Sequence, residues 1–218
     1  MSKTTFPYVF GEGLTRWDRP VFFTLARSLA QSAGRRKWDV AAVDMLGARY
    51  LKLFLDESKV GMPERQMLLA NRRYASPEHL RRVQQYMAKA GLRGARVLVI
   101  TERIDTGDAL LRLILGARAA GARLVDAAVL GISPLDGLRD MSSLNKRACK
   151  LLANGPDEMF IGREGFSSGL HGISDKHVGY RIENGNPVAQ LHRPADQLPT
   201  IQKYERLFLQ WAQEFRAH

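Results

Sequence analysis

Cysteine is nearly missing from this chain: Cys149 is the only one in 218 residues. No intrachain disulfide can form, and a thiolate zinc cluster is excluded. The neighbours Lys146, Arg147 and Lys150 favour a thiolate, but no partner base stands beside it in the sequence, so Cys149 reads as incidental rather than as a nucleophile. Histidine is scarce as well. His79, His171, His177, His192 and His218 form no His-Glu-x-x-His arrangement, so no structural zinc site is expected. No apolar stretch approaches the length of a membrane span, and residues Met1 to Phe6 lack the apolar core of a secretion signal. The expectation is a cytoplasmic protein that does not enter a membrane. A serine nucleophile elbow, a P-loop and a dinucleotide-binding glycine fingerprint are all absent. Acidic residues are in deficit. Asp and Glu number 22 against 33 Lys and Arg, a net charge of +11. That balance favours anionic partners (nucleic acid, an anionic surface or a polyphosphate) without choosing among them.

Hydrophobic residues make up 45% of the chain, enough to build one α/β domain with a sizeable core, with or without a small appendage. Apolar runs that suit strands covered on both faces occur at Trp38–Val43, Val97–Ile100, Ala122–Ile132 and Asp157–Ile161. Gln66–Asn71 is a candidate short strand. Helical stretches separate these runs. One follows Asp18, a candidate N-cap, and runs to about Ala33; another starts at Ser76-Pro77. Met141–Leu152 reads as a helix with a basic face, and Phe6–Phe10 as an edge strand. The alternation implies a parallel sheet with its site at the carboxyl ends of the strands. Beyond a glycine-rich polar loop at 162–172, Asn184-Gly185-Asn186 joins two short strand patterns into a hairpin. Residues 200–215 form an amphipathic helix whose stripe of Ile201, Tyr204, Leu207, Phe208, Trp211 and Phe215 is core or an oligomer contact. Domains are expected at 1–162, the core, and 163–218, a C-terminal extension packed on it.

The most informative segment is Val97-Leu98-Val99-Ile100-Thr101-Glu102-Arg103-Ile104-Asp105-Thr106-Gly107-Asp108-Ala109-Leu110. It reads as a buried strand, a polar turn and a helix start. Free N–H groups and the positive end of a helix dipole would meet there, which makes a ready anion site. Gly107 lets backbone approach a ligand.

This string resembles the phosphoribosyl-pyrophosphate (PRPP) motif of type I phosphoribosyltransferases: an apolar strand, an acidic pair, then Thr-Gly. Thr101 and Glu102 fall on the acidic pair, Asp105 on a variable position and Thr106-Gly107 on Thr-Gly. Ile104-Asp105-Thr106-Gly107 is most similar to the 6-oxopurine branch. Thr101 differs from the motif by lacking a carboxylate, Ala109 by lacking a phosphate-binding hydroxyl, and Arg103 by standing on a usually apolar position. The resemblance implies an α/β, type I phosphoribosyltransferase-like parallel sheet flanked by helices, with a small C-terminal hairpin and helix subdomain. It implies binding of PRPP by Thr101, Glu102, Asp105, Thr106, Gly107, Asp108 and Ala109. Magnesium would arrive on the ligand, with Glu102 reaching it through water and no direct protein site. Glu102 would contact the ribose hydroxyls, and Asp105 would take a proton from a purine-like base. By the same resemblance, Asp44, Met45, Leu46, Gly47, Ala48 and Arg49 form the pyrophosphate loop, although a plain β–α turn fits that stretch as well. The implied reaction moves ribose 5-phosphate from PRPP to a nitrogenous base and releases pyrophosphate.

Two readings from other classes stand beside it. Eight Lys or Arg lie between Arg65 and Arg96 (Arg65, Arg72, Arg73, Arg81, Arg82, Lys89, Arg93 and Arg96) against one acid, Glu78. They belong to a closing loop over the substrate, to a solvated helix face, or to a surface that binds nucleic acid in a catalytically weak PRPP- or nucleotide-sensing module. Thr101 and Ala109 favour the sensing module; Glu102 and Asp105-Thr106-Gly107 favour the enzyme. The third reading is a subunit that assembles through 200–215.

Overall fold

The computed structural model describes residues 13–69, 77–104, 107–132, 154–164, 178–183, 186–191, 195 and 198–218. The apolar runs become strands: β1 (Val40–Asp44), β2 (Gln66–Leu69), β3 (Arg96–Ile104), β4 (Leu124–Ile132) and β5 (Met159–Glu164). These five pair in parallel. The hairpin β6 (Val178–Glu183) and β7 (Asn186–Leu191) adds an antiparallel edge through Leu69 and Val188. The full order is β5-β4-β3-β1-β2-β7-β6. A division at 162/163 would fall inside β5, and the C-terminal hairpin continues the same sheet.

Among the described residues five helices cover the sheet: α1 (Gly13–Arg36), α2 (Met45–Glu57), α3 (Pro77–Lys89), α4 (Asp108–Ala119) and α5 (Leu198–Arg216). Side chains alternate across a strand, and the core divides accordingly. Ala41, Val43, Leu98 and Ile100 face an aromatic-rich cluster from α1, α2 and α5. Val40, Ala42, Val97 and Val99 face an aliphatic cluster from α3 and α4. In the first cluster Phe22 meets Phe54 edge-on at 5.1 Å and Phe208 at 5.1 Å, and Phe208 meets Trp211 at 5.0 Å. Such pairs each contribute about 0.5–1.5 kcal/mol beyond burial.

One expectation changes and two are made more specific. The first helix begins at Gly13, upstream of Asp18, so Asp18 has helical neighbours on both sides and does not cap; its side chain is buried instead. The stripe of α5 is covered within the chain. Ile201, Tyr204, Phe208 and Trp211 are buried, and Phe215 packs on Phe23 at 5.4 Å. The apolar face expected for an oligomer contact is therefore part of the intramolecular core. The basic stretch 65–96 is spread over several elements. Arg65, Arg93 and Arg96 stand at the amino ends of β2 and β3, whereas Arg81 and Arg82 lie on α3. No helix among the described residues is long and apolar enough to cross a membrane. The expected helix at 141–152 and edge strand at 6–10 lie outside the described residues.

Gly162, in β5, sits against α1. A Cβ there would lie 2.5 Å from the Leu130 carbonyl oxygen, 2.8 Å from Val21 Cγ1 and 2.9 Å from the Val21 carbonyl oxygen. Two of these atoms are backbone and cannot swing aside. Gly162→Ala is expected to destabilise the fold by roughly 1–3 kcal/mol. Urea unfolding tests this against Gly34→Ala, where a Cβ meets nothing within 4 Å. Equal stability of the two variants would show that α1 lifts off β5 at little cost.

Candidate functional site

The order β2-β1-β3-β4-β5 reverses direction between β1 and β3. In open parallel sheets ligands bind in the crevice at such a reversal, outside the carboxyl ends of the strands. Here α2, which leaves β1, packs Tyr50 and Leu51 into the aromatic cluster on one face. The helix leaving β3, α4, packs Leu110 and Leu113 on the other. Adjacent strands thus send their helices to opposite faces, and the gap between the helix starts is the crevice.

Val43 and Ile100 form the last register pair between β1 and β3. The next residues along the two strands are Asp44 and Thr101, and Glu102 follows. All three are polar and buried, at 5%, 4% and 6% exposure. Buried carboxylates are uncommon and need partners; Asp44 and Glu102 are both engaged within the fold. Gly107 supplies the N-cap of α4 at φ 80° and ψ −7°, and its carbonyl accepts the Leu111 N–H at 2.9 Å. This left-handed geometry suits glycine, since a side chain here costs about 1–2 kcal/mol. The first turn of α4, at Asp108 and Ala109, follows shortly after Ile104, the end of β3, and both residues are engaged within the fold. Asp105 and Thr106 lie outside the described residues.

The expected pyrophosphate loop is mostly helix. Met45 opens α2 directly after Asp44, and the only non-helical backbone inside it is at Ala48, with φ −112° and ψ 16°. Met45 and Ala48 are buried in the core; the side chain of Leu46 and the surroundings of Gly47 lie outside the description. Arg49 is 5% exposed, donates from Nη2 to Glu205 Oε1 at 2.7 Å and lies 5.2 Å from the centre of the Tyr50 ring. Its charge is thus held by α5. Sequence reading missed Glu205, which is 156 residues away along the chain and carries no local signal. Arg82 pairs with Glu78 on the surface of α3, and Arg72 and Arg73 lie outside the described residues.

Among the described residues no group of three or more His, Cys, Asp or Glu could hold a metal ion. A magnesium ion bound mainly by ligand phosphates and water needs only one or two protein carboxylates. Asp44 and Glu102, at neighbouring strand ends, are compatible with that demand.

No protein-family model matches the sequence, and no curated protein sequence does. Solved structures do match. One, described as a hypoxanthine-guanine-xanthine phosphoribosyltransferase, has a TM-score of 0.41 and 12% identity over 82% of this chain and 93% of that one. At that score and identity the likeness adds nothing to the topology.

Proposed function

We propose that the crevice binds PRPP with magnesium and that the protein transfers ribose 5-phosphate to a nitrogenous, purine-like base. The observation that supports this most is the meeting of two sequence features at one reversal of strand order. Buried Asp44 ends β1, and the string 97–110, with Thr101, Glu102 and left-handed Gly107, spans β3 and the start of α4. In this reading the α4 amino end with Thr106 and Gly107 holds the 5′-phosphate. Glu102 accepts hydrogen bonds from the ribose hydroxyls. Backbone at the start of α2 faces the diphosphate. The C1–O bond to diphosphate breaks with its electron pair leaving on oxygen, and the base nitrogen forms the C1–N bond. Asp105 takes the proton from that base. Magnesium, when bound, offsets charge on the departing diphosphate.

The engagement of Arg49 by Glu205 favours a second reading, a PRPP-sensing module with weak catalysis, because it withdraws a cation from the diphosphate side. Both readings require ligand binding. Millimolar PRPP with magnesium is expected to raise the melting temperature by several degrees, since a ligand at 100 times its Kd stabilises by about 2.7 kcal/mol. Glu102→Ala should remove most of that shift. No shift in the wild-type protein overturns both readings. Pyrophosphate release across a panel of bases separates them: release marks the transferase, and a melting shift without release marks the sensor.

A further inference from the structure

At the amino ends of the strands, opposite the crevice, Arg35, Arg36, Arg96, Arg123 and Leu124 line an open pocket of about 350 Å³. The arginines come from separate places in the chain. Arg35 and Arg36 end α1, Arg96 opens β3 and Arg123 precedes β4. Backbone contacts lock these segments together. Asp39 N–H donates to the Arg96 carbonyl at 2.8 Å, Arg96 N–H to Asp39 Oδ2 at 2.8 Å, and Arg123 N–H to the Ala95 carbonyl at 2.8 Å.

Counter-charge is short. Arg35 and Arg36 share one carboxylate, Glu158, with Arg35 Nη2 at 3.1 Å from Oε2. Arg36 Nε also lies 3.5 Å from Asp126 Oδ2. That carboxyl is fully buried and accepts a hydrogen bond from Trp38 Nε1 at 2.9 Å. Burial pushes its pKa above the usual carboxylate range, against the pull of Trp38 and Arg36. Arg96 donates from Nη1 to the Arg36 carbonyl at 2.9 Å, and its one acidic contact among the described residues is made by its backbone N–H, to Asp39, and not by its guanidinium. Arg123 is exposed and has no ion pair or side-chain hydrogen bond among them. Cations at a helix carboxyl end suit the dipole, which accounts for Arg35 and Arg36. It does not account for Arg96 and Arg123, which belong to no helix.

We propose that this pocket is a second anion site, separate from the crevice, for a small ligand carrying two or more linked phosphates. Guanidinium forks bind phosphate oxygens in pairs, and an anion bridging several of them relieves their mutual repulsion. The volume falls in the small-ligand range. Four arginines gathered around a pocket of about 350 Å³ suit a short phosphate chain better than the long repeating backbone of a nucleic acid.

The test uses inorganic tripolyphosphate without magnesium, titrated calorimetrically into the full chain. Saturable binding is expected. Arg35→Gln with Arg123→Gln should weaken it at least about tenfold, because each lost charge-assisted contact is a strong one. The PRPP–magnesium melting shift should be unaltered in the same variant. Arg123→Glu alone, at an exposed position, should weaken binding as well and guards against a folding defect in the double variant. Absence of saturable binding, equal affinity for sulfate, or unchanged affinity in the variants overturns the site. So does a single-stranded oligonucleotide that binds more tightly than tripolyphosphate and loses affinity in the same variants, since that marks a nucleic-acid surface. The PRPP shift is read separately, so failure here leaves the crevice assignment untouched, and the converse holds.

Discussion

Asp105→Asn is expected to lower turnover by about 10²–10⁴-fold, the usual contribution of a positioned general base. Melting shifts with PRPP and magnesium should be little changed. Asp105 stands in sequence between Ile104, which ends β3, and Gly107, which caps α4. Those two described neighbours flank the reversal of strand order. Asparagine has nearly the same size and keeps the capacity to cap a helix or form a turn, but it cannot take a proton from the incoming base. The fall should therefore appear in the rate at saturating PRPP and base rather than in affinity. The measurement is the initial rate of pyrophosphate release with the base that serves best in the panel. Unchanged turnover would remove Asp105 from the chemistry. A parallel loss of the PRPP melting shift would place it in ligand binding instead.

The second large effect concerns Asp18. It lies inside α1 at 4% exposure, and burial raises its carboxyl from 3.8 to about 7. The sign follows from proton binding. Between about pH 4 and 7 the folded protein keeps a proton that the unfolded chain has released. The contribution of neutral Asp18 is therefore complete below about pH 4 and is lost as the pH rises through about 7. A shift of that size corresponds to roughly 4 kcal/mol. Asp18→Asn cannot ionise and has nearly the same shape. It should be more stable than the wild-type protein at pH 8 by up to that amount, and its advantage should shrink steadily towards pH 4. Urea unfolding of both proteins at pH 4, 6 and 8 gives the difference directly. Comparing the pair cancels the pH dependence of the remaining charges. A difference that does not vary with pH would show that Asp18 ionises like an exposed carboxylate.

The placement of Asp18 illustrates how far local pattern reaches. Asp followed by Arg-Pro and an apolar periodicity reads as a helix start, and nothing near it shows that the helix begins at Gly13. Only α1 packed on β4 and β5 turns that carboxyl inward. The pocket of four arginines is a similar case: each arginine alone is an ordinary surface cation, and the pairing of β1, β3 and β4 gathers them at one end of the sheet.

The strands β1, β3 and β4 are legible from residue order alone, because buried parallel strands are near-continuous apolar runs. So are the hairpin at 178–191 through Asn184-Gly185, the start of α3 through Ser76-Pro77, and the apolar stripe of α5. Residue order also gives 97–110 as a strand that runs by a short turn into a helix, as β3 and α4 do. These features are short-range, and each is written in neighbouring residues. Only the packed fold ties Arg49 to Glu205, lays the α5 stripe over α1 and α2, and distributes the cations of 65–96 over the amino ends of β2 and β3 and the helix α3. It alone placed Asp44 on the rung beyond Val43 and Ile100, beside the strand that carries Thr101 and Glu102. Periodicity sets which face a side chain takes on its own element; which element comes to lie opposite depends on strand order and register, and those arise from packing between segments far apart in the chain.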